Sequence, residues 1–314
     1  MGLDPVVLFF LLGVAARLLR SDLRLPEAIY EGLSIYLLLA IGLKGGVELA
    51  RQPLVSVLPQ SLAVIAMGLL LPLIAYPVLR RIGRFERSDA ASIAAHYGSV
   101  SMVTFAVALA FLNDRGVAYE QYMPLFVVLL EVPGIVVGIL LAKLGSDVRH
   151  IEWKTLAREV LLGRSILLLT GGLLIGWIAG PKALAPQGQL FFDLFKGVLA
   201  LFMLEMGIVA ASRIRELRRA GVFLIAFGTL MPLLFALIGA TVARLIGLSL
   251  GGTTLLATLA ASASYIAAPA AMRIAVPQAN PSLSLAAALG VTFPFNILAG
   301  IAIYHWLALR IHTL

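Results

Sequence analysis

Two short serine-containing segments stand out in an otherwise apolar sequence, Ser99-Val-Ser101 and Ser262-Ala-Ser264. A helix breaker lies near each of them, Gly98 near the first and Pro269 near the second. A helix interrupted inside a membrane exposes N–H groups at one new end, which attract anions, and C=O groups at the other, which can hold Na⁺. We therefore predict one binding site where two broken helices cross. Its hydroxyl groups come from Ser99, Ser101, Thr104, Ser262 and Ser264.

Close packing is the alternative interpretation of each serine taken alone. Small residues let transmembrane helices approach each other, and a serine hydroxyl can bond back to its own helix. The recurrence of the Ser-x-Ser pattern at matching positions of the chain favours a site over packing, because transporters place binding sites at such paired interruptions.

Two further polar residues occur in apolar segments that contain proline. Glu131 precedes Pro133, and Asn296 follows Pro294 in the matching segment. A carboxylate inside lipid is costly and usually functional, so Glu131 is predicted to be a cation ligand or proton carrier, with a structural salt bridge as the alternative. Asn296 is the second predicted ion-coupling residue, and a hydrogen bond between helices is its alternative role.

The composition shows which elements must position these residues. The chain has 314 residues, of which 61% are hydrophobic and 13% charged, and its mean hydropathy is +1.01. Soluble domains average about 25% charged residues, so we predict an all-helical integral membrane protein. Apolar runs indicate ten spans. They cover 5–19, 28–43, 54–79, 90–112, 121–143, 164–179, 189–212, 220–245, 252–274 and 283–309.

The distribution of basic residues predicts the orientation. Seventeen of the 24 Lys and Arg residues fall on one side of the ten spans and six on the other. Positively charged loops stay in the cytoplasm, so both termini are expected on the outer side of the cell inner membrane. The net charge of +8 comes from these basic residues in the loops, so it does not indicate nucleic acid as a partner. The polar stretch 146–163 is predicted to be a cytoplasmic linker between halves 1–145 and 164–314.

The two halves resemble each other in the positions of their interruptions. Pro72 corresponds to Pro232, and Pro133 corresponds to Pro294, with nearly the same offset as the serine segments. Gly42 and Gly207 match in the same way. Because each half has five spans, the second half must enter the membrane from the opposite side. The prediction is a 5+5 inverted repeat in which spans four and nine are broken and cross.

Motifs of catalysis and of energy coupling are missing from the sequence. There is no P-loop, no His-Glu-x-x-His and no Gly-x-Ser-x-Gly, and the chain contains no cysteine. His96 lies one helical turn before Ser99, which leaves a Ser-His intramembrane enzyme as an alternative, but neither residue has an orienting partner. We expect a non-enzyme that has no cofactor and no metal other than Na⁺ as a coupling ion.

Four segments of this chain resemble the SbtA-type sodium-dependent bicarbonate transporter family, and the resemblance covers nearly the whole length. The segments are Ile41-Gly-Leu-Lys-Gly-Gly46, Gly98-Ser-Val-Ser-Met-Val-Thr104, 207–217 and 262–282. Within the last of them, Arg273-Ile-Ala-Val-Pro-Gln-Ala-Asn-Pro-Ser282 is the most specific part. The resemblance implies Na⁺-coupled bicarbonate uptake, a core and a gate domain, and a homotrimer in the lipid bilayer. It also implies an anion site at Gly98, Ser99, Ser101, Thr104, Ser262 and Ser264.

The chain departs from the cyanobacterial members of that family in three places. Where those members have an Asp followed by Ile-Ser-Gly-Pro-Pro, this chain has Tyr265-Ile-Ala-Ala-Pro269. The loss of the carboxylate removes a Na⁺ ligand, whereas the Tyr265 phenol can hydrogen-bond an oxyanion. Met102-Val103 replaces Gly-Ser, which makes the site more apolar. The middle linker is much shorter, which argues against a PII-like regulator docking there.

Two transport hypotheses follow from the sequence. The first is a Na⁺-coupled symporter of bicarbonate or a similar small anion that works by alternating access. The second is a proton-coupled or differently specific small-anion carrier of a related 5+5 fold, which Glu131 motivates.

Overall fold

The computed structural model describes residues 4–52, 54–144, 153–214, 216 and 221–313. Within these ranges the chain is helical and contains no strand. Eight helical stretches among the described residues are long and apolar enough to cross a membrane, which confirms an integral membrane protein. They are Glu27–Leu49, Val57–Ile82, Arg87–Asp114, Met123–Lys143, Arg164–Gln187, Phe195–Ser212, Val222–Leu245 and Pro281–Thr313. Pro5–Leu18 and Leu250–Ala260 are shorter apolar helices.

The first half of the chain contains three uninterrupted helices and two pairs of short ones. The helices are α1 (Pro5–Leu18), α2 (Glu27–Leu49), α3 (Leu54–Pro77), α4 (Arg87–Gly98), α5 (Met102–Asp114), α6 (Met123–Glu131) and α7 (Pro133–Lys143). A π-helical turn, Val78–Ile82, extends α3. Pro133 begins α7, where a proline costs no hydrogen bond because the first N–H groups of a helix have no partner within it.

The part of the chain that follows α7 begins, within the described residues, with a short amphipathic helix. The helices of this part are α8 (Trp153–Leu161), α9 (Arg164–Leu184), α10 (Phe195–Ser212), α11 (Val222–Leu245), α12 (Leu250–Ala260), α13 (Ala267–Ala275) and α14 (Pro281–Thr313). Helix α14 contains two π-helical segments, Ala286–Thr292 and Asn296–Gly300. Leu156 and Val160 of α8 are buried, and α8 packs against α13.

Helices α1, α2, α9 and α10 form two tightly packed pairs, α1 with α10 and α2 with α9. Glycine makes the close approach possible in both pairs. A Cβ on Gly207 would lie 2.1 Å from the Phe10 carbonyl oxygen, and a Cβ on Gly46 would lie 2.1 Å from that of Leu173. Such contacts between backbones are how membrane helices gain packing energy without a hydrophobic driving force.

The remaining helices surround the short helices α4, α5, α12 and α13. Helix α4 packs against α3 and α7, and α12 packs against α11 and α14. The residues of α4, α5 and α12 are almost all buried, whereas α3 and α11 expose many apolar side chains. The serines of both breaks are buried as well, so the unwound backbone at 99–101 and 262–264 lies inside the protein, where it is tolerated.

Two details correct or extend the sequence prediction. Span two was predicted to end at residue 43, but α2 continues to Leu49 because Lys44 and Glu48 lie on the helix, with Glu48 paired to Arg51 at 2.9 Å. The linker 146–163 is partly helical, since it contains α8. Its residues 146–152, and the boundary at 145/146, lie outside the described residues. So do the basic residues Arg149, Arg215, Arg218 and Arg219.

Candidate functional site

The first interruption separates α4 from α5 over three residues. Ser99 ends α4 in an extended conformation (φ −102°, ψ 177°), and Ser101 precedes the first turn of α5. The Ser101 Oγ accepts the backbone N–H of Thr104 at 3.1 Å and the Thr104 hydroxyl at 3.0 Å. Ser101 is therefore an N-cap, a role typical of serine. Its hydroxyl proton takes no part in these two bonds.

The second interruption is longer and lies between α12 and α13. Helix α12 ends at Ala260 and α13 begins at Ala267. Ser264 accepts the backbone N–H of Ala268 at 3.2 Å, which is the counterpart of the Ser101 cap. Pro269 was predicted to weaken the helix, but it lies in the first turn of α13, where proline is tolerated, and the break precedes it.

The two interruptions are bonded directly to each other. The backbone N–H of Ser101 donates to the Ser262 Oγ at 2.9 Å, and the Ser262 hydroxyl donates to the carbonyl of Leu259 at 2.8 Å. The backbone N–H of Ser264 donates to the His96 carbonyl at 2.8 Å. The two bonds between the breaks satisfy the Ser101 N–H and the His96 carbonyl, which have no partner within a helix, so each break stabilises the other.

The junction of α6 and α7 packs against the first interruption. The Ser99 hydroxyl donates to the backbone carbonyl of Glu131 at 3.0 Å. Gly134 lies directly on Gly98, because a Cβ on Gly134 would be 2.1 Å from the Gly98 carbonyl carbon. The kink at Pro133 thus places the Glu131 side chain beside the break.

A small cavity brings together four of the nine predicted site residues. Ser101, Glu131, Ser264 and Tyr265 all line it. The Glu131 Oε2 and the Tyr265 hydroxyl are buried and have no hydrogen-bond partner among the described residues. A carboxylate and a phenol oxygen are suitable cation ligands, whereas serine hydroxyls and the free N–H groups of a helix N-terminus are suitable anion donors. The cavity therefore combines groups for an anion with groups for a cation.

Asn296 contacts the second interruption but does not line the cavity. Its Nδ2 donates to the carbonyl of Ala261 at 3.1 Å, and its Oδ1 accepts the Tyr304 hydroxyl at 2.6 Å. Both ends of the amide are occupied, so Asn296 secures the end of α12 from α14. A hydrogen bond between helices was the alternative role predicted for Asn296, and this bond is present.

Ser165 lines the same cavity and was missed by the sequence analysis. It lies in the first turn of α9, and its neighbour Arg164 pairs with Glu31 at 2.8 Å. No local pattern distinguishes Ser165 from other serines at the start of a helix, because its role depends on α9 approaching the distant breaks.

No group of three or more His, Asp or Glu residues that could hold a metal ion occurs in the described ranges. The oxygen atoms available for a cation are the Glu131 carboxylate, the Tyr265 phenol and the Ser101 and Ser264 hydroxyls. Such a set is typical of a weakly bound alkali cation rather than of a transition metal, which prefers nitrogen or sulfur.

The chain matches a known protein family over nearly its whole length. No curated protein matches the chain as a close relative. The sequence model of the Na⁺-dependent bicarbonate transporter superfamily matches residues 5–309 of 314, and this confirms the family indicated by the sequence motifs. On a chain of membrane helices, this match identifies a transporter rather than an enzyme. The chain therefore belongs to the Na⁺-dependent bicarbonate transporter superfamily.

Proposed function

We propose that the protein is a secondary transporter that couples Na⁺ to the symport of bicarbonate or a similar small anion by alternating access. One observation carries the proposal: the two interrupted helices meet at a cavity lined by Glu131 and Tyr265, and each of these residues has a buried polar atom without a partner. Unpaired buried polar atoms are rare in folded proteins, and they favour a site that is completed by a ligand.

In this proposal the anion binds at the crossing of the broken helices. The first N–H groups of α5 lack helical partners, and the N-terminal end of a helix favours negative charge. The Ser101 and Ser264 hydroxyl protons and the Tyr265 phenol add donors, and Gly98 lets α7 pack closely against the break. The full proposed set is Gly98, Ser99, Ser101, Thr104, Ser262, Ser264 and Tyr265.

Na⁺ is proposed to bind beside the anion. The Glu131 carboxylate supplies the negative charge that a buried cation requires, and the anion supplies more. Asn296 takes part as a positioning residue, because it holds the carbonyl end of α12 at the same crossing. Each ion lowers the cost of burying the other, which is the physical basis of coupling.

The proposed architecture has ten spans in a 5+5 inverted repeat with halves 1–145 and 164–314. Pairwise packing supports it, because three of the larger contacts between helices have a counterpart. The α2–α9 pair corresponds to α10–α1, α3–α4 to α11–α12, and α4–α7 to α12–α14. We propose that both termini lie outside the cell inner membrane and that the protein forms a homotrimer, as the family resemblance implies.

Alternating access is proposed to move the crossing helices against the unit of α1, α2, α9 and α10. A cleft between these two groups contains Lys44, Asp114 and Lys196, with Lys196 and Asp114 paired at 2.6 Å. With the proposed orientation this cleft faces outward and would guide anions toward the crossing.

Uptake into proteoliposomes tests the proposal. Labelled bicarbonate should accumulate when an inward Na⁺ gradient is imposed, and it should not accumulate when K⁺ replaces Na⁺. Uptake of no small anion under a Na⁺ gradient would reject the proposal. Counterflow exchange separates a carrier from a channel, since only a carrier accumulates label against unlabelled substrate.

A proton-coupled carrier is the second candidate, and the unpartnered Glu131 carboxyl oxygen favours it. A carboxyl that takes up and releases a proton would make uptake depend on a pH gradient in the absence of Na⁺. If Glu131→Gln leaves the pH dependence of uptake unchanged, proton coupling through this residue is excluded.

A further inference from the structure

A second cleft lies between α4, α13 and the start of α14. It shares no lining residue with the cavity at the crossing, and its polar residues are Ser92, His96, Arg273 and Ser284. The centre of a water-sized sphere can occupy about 70 Å³ of this cleft. One water molecule needs about 10–15 Å³ by the same measure, so an anion of four heavy atoms fits.

His96 lines this cleft, and its ring has an unused nitrogen. Its Nδ1 lies 2.7 Å from the backbone carbonyl of Ser92, and since a carbonyl only accepts, Nδ1 must carry the hydrogen. In the neutral ring the Nε2 is then an acceptor. This atom is buried, has no partner among the described residues, and belongs to a side chain that is 1% exposed.

Arg273 is the charged residue of the cleft. It lies on α13, it is exposed, and its guanidinium forms no hydrogen bond or ion pair within the described part of the chain. The nearby carboxylate of Asp89 already accepts the backbone N–H of Asn280 at 2.7 Å and does not line the cleft. The guanidinium is therefore available to an anion, and its planar fork suits two oxygens of one carboxylate group.

From this pairing we infer that the cleft is a second anion-binding site, selective for an oxyanion that carries its own hydroxyl hydrogen. Bicarbonate has this chemistry, because its two carboxylate oxygens can accept from Arg273 while its O–H donates to the His96 Nε2. Formate and nitrate have the negative charge but no donor, so they leave the Nε2 unpaired. A site built to bond a hydroxyl discriminates strongly against analogues that lack it.

This inference rests on the proposed function for its place in transport. With the proposed orientation, α13 runs toward the cytoplasm, so the cleft lies on the release side of the crossing. The two sites are linked, because the His96 carbonyl accepts the Ser264 N–H while the His96 ring faces the cleft. Bicarbonate leaving the crossing would meet a site that favours it over other small anions.

The test is ¹⁵N NMR of the histidine-labelled full-length protein in lipid bilayers at constant pH. The chain has four histidines, and the His96 signals are assigned by their loss in His96→Gln. Bicarbonate should shift the Nε2 resonance of His96, whereas formate and nitrate at equal concentration should not. Equal shifts with all three anions, or no shift with bicarbonate, would overturn the inference.

Variants separate this site from the crossing and from a simple folding defect. In competition binding, the wild-type cleft should prefer bicarbonate over formate by about tenfold or more. His96→Leu removes the acceptor and should abolish this preference. His96→Gln retains an acceptor and should keep part of the preference. Arg273→Gln should weaken both anions. In Ser101→Ala/Ser264→Ala the His96 response should persist, and its loss there would overturn an independent site.

Failure of the proposed function gives a different result from failure of this inference. A His96 response to bicarbonate in a protein that shows no Na⁺-driven uptake would support the site and reject the proposed function. Na⁺-driven bicarbonate uptake without a His96 response to bicarbonate would support the proposed function and overturn the inference of a second site.

Discussion

The backbone N–H of Ser101 donates to the Oγ of Ser262 over 2.9 Å, so a side chain from one interrupted helix holds the N-terminus of the other. These residues are 161 positions apart in the chain. Ser262 is fully buried, and the bond lies at the crossing where we place the anion. Movement of either break must therefore be transmitted to its counterpart.

Ser262→Ala should destabilise the protein because the buried Ser101 N–H loses its acceptor. An unsatisfied buried donor costs about 1–3 kcal/mol, so thermal unfolding in detergent should shift to a clearly lower temperature and uptake should fall. Thr241→Val is the matched control, since the Thr241 hydroxyl is exposed and bonds only to Leu237 of its own helix at 2.8 Å. Equal unfolding temperatures for Ser262→Ala and wild type would contradict the bond.

Glu131→Gln should abolish the Na⁺ dependence of uptake without unfolding the protein. The amide has the same size as the carboxyl but lacks the charge that the proposed Na⁺ requires. Wild type should be stabilised by Na⁺ relative to choline, because a ligand that binds only the folded state raises its stability, and the variant should lose this effect. The control is Glu48→Gln, which affects only an exposed pair with Arg51 and should behave as wild type. Retained Na⁺ stabilisation in Glu131→Gln would remove this residue from coupling.

Gly134→Ala should be strongly destabilising because its Cβ would lie 2.1 Å from the Gly98 carbonyl carbon. Helix α7 would have to move away from the first break, and overpacking of this kind costs about 1–3 kcal/mol or more. Gly171→Ala is the control, since a Cβ there meets nothing within 4 Å and alanine favours the helix. Thermal unfolding of both variants checks the prediction, and similar stabilities would show that α7 can shift freely.

Tyr265→Phe should reduce transport at little cost in stability. The Tyr265 hydroxyl is buried and has no hydrogen bond within 3.5 Å among the described residues, so its removal costs little in the ligand-free protein. Tyr304→Phe is the matched control with the opposite outcome, because the Tyr304 hydroxyl donates to Asn296 at 2.6 Å. This second variant should lower stability by about 1 kcal/mol. A stability loss in Tyr265→Phe equal to that in Tyr304→Phe would mean that Tyr265 is structural.

The sequence predicted the membrane class, the positions of most helices and the two interruptions. Hydropathy over some 20 residues is a local property, and so is the weakness of a helix at Gly98, which does end α4. The second break was attributed to Pro269, yet it occurs earlier, because proline at the start of a helix supports it rather than breaking it. The end of α2 was misplaced for a related reason, since charged residues such as Lys44 can continue a helix beyond the apolar run.

The tertiary structure alone decided which groups meet. Ser165 enters the cavity from α9, Gly134 packs on Gly98, and the His96 ring and Arg273 face one cleft from different helices. The residues that meet in each case lie far apart in the sequence, and no periodicity relates their positions. Local composition determines where a helix forms or breaks. Contacts between helices depend on how whole helices pack, and that packing is the sum of many weak interactions between residues far apart in the sequence.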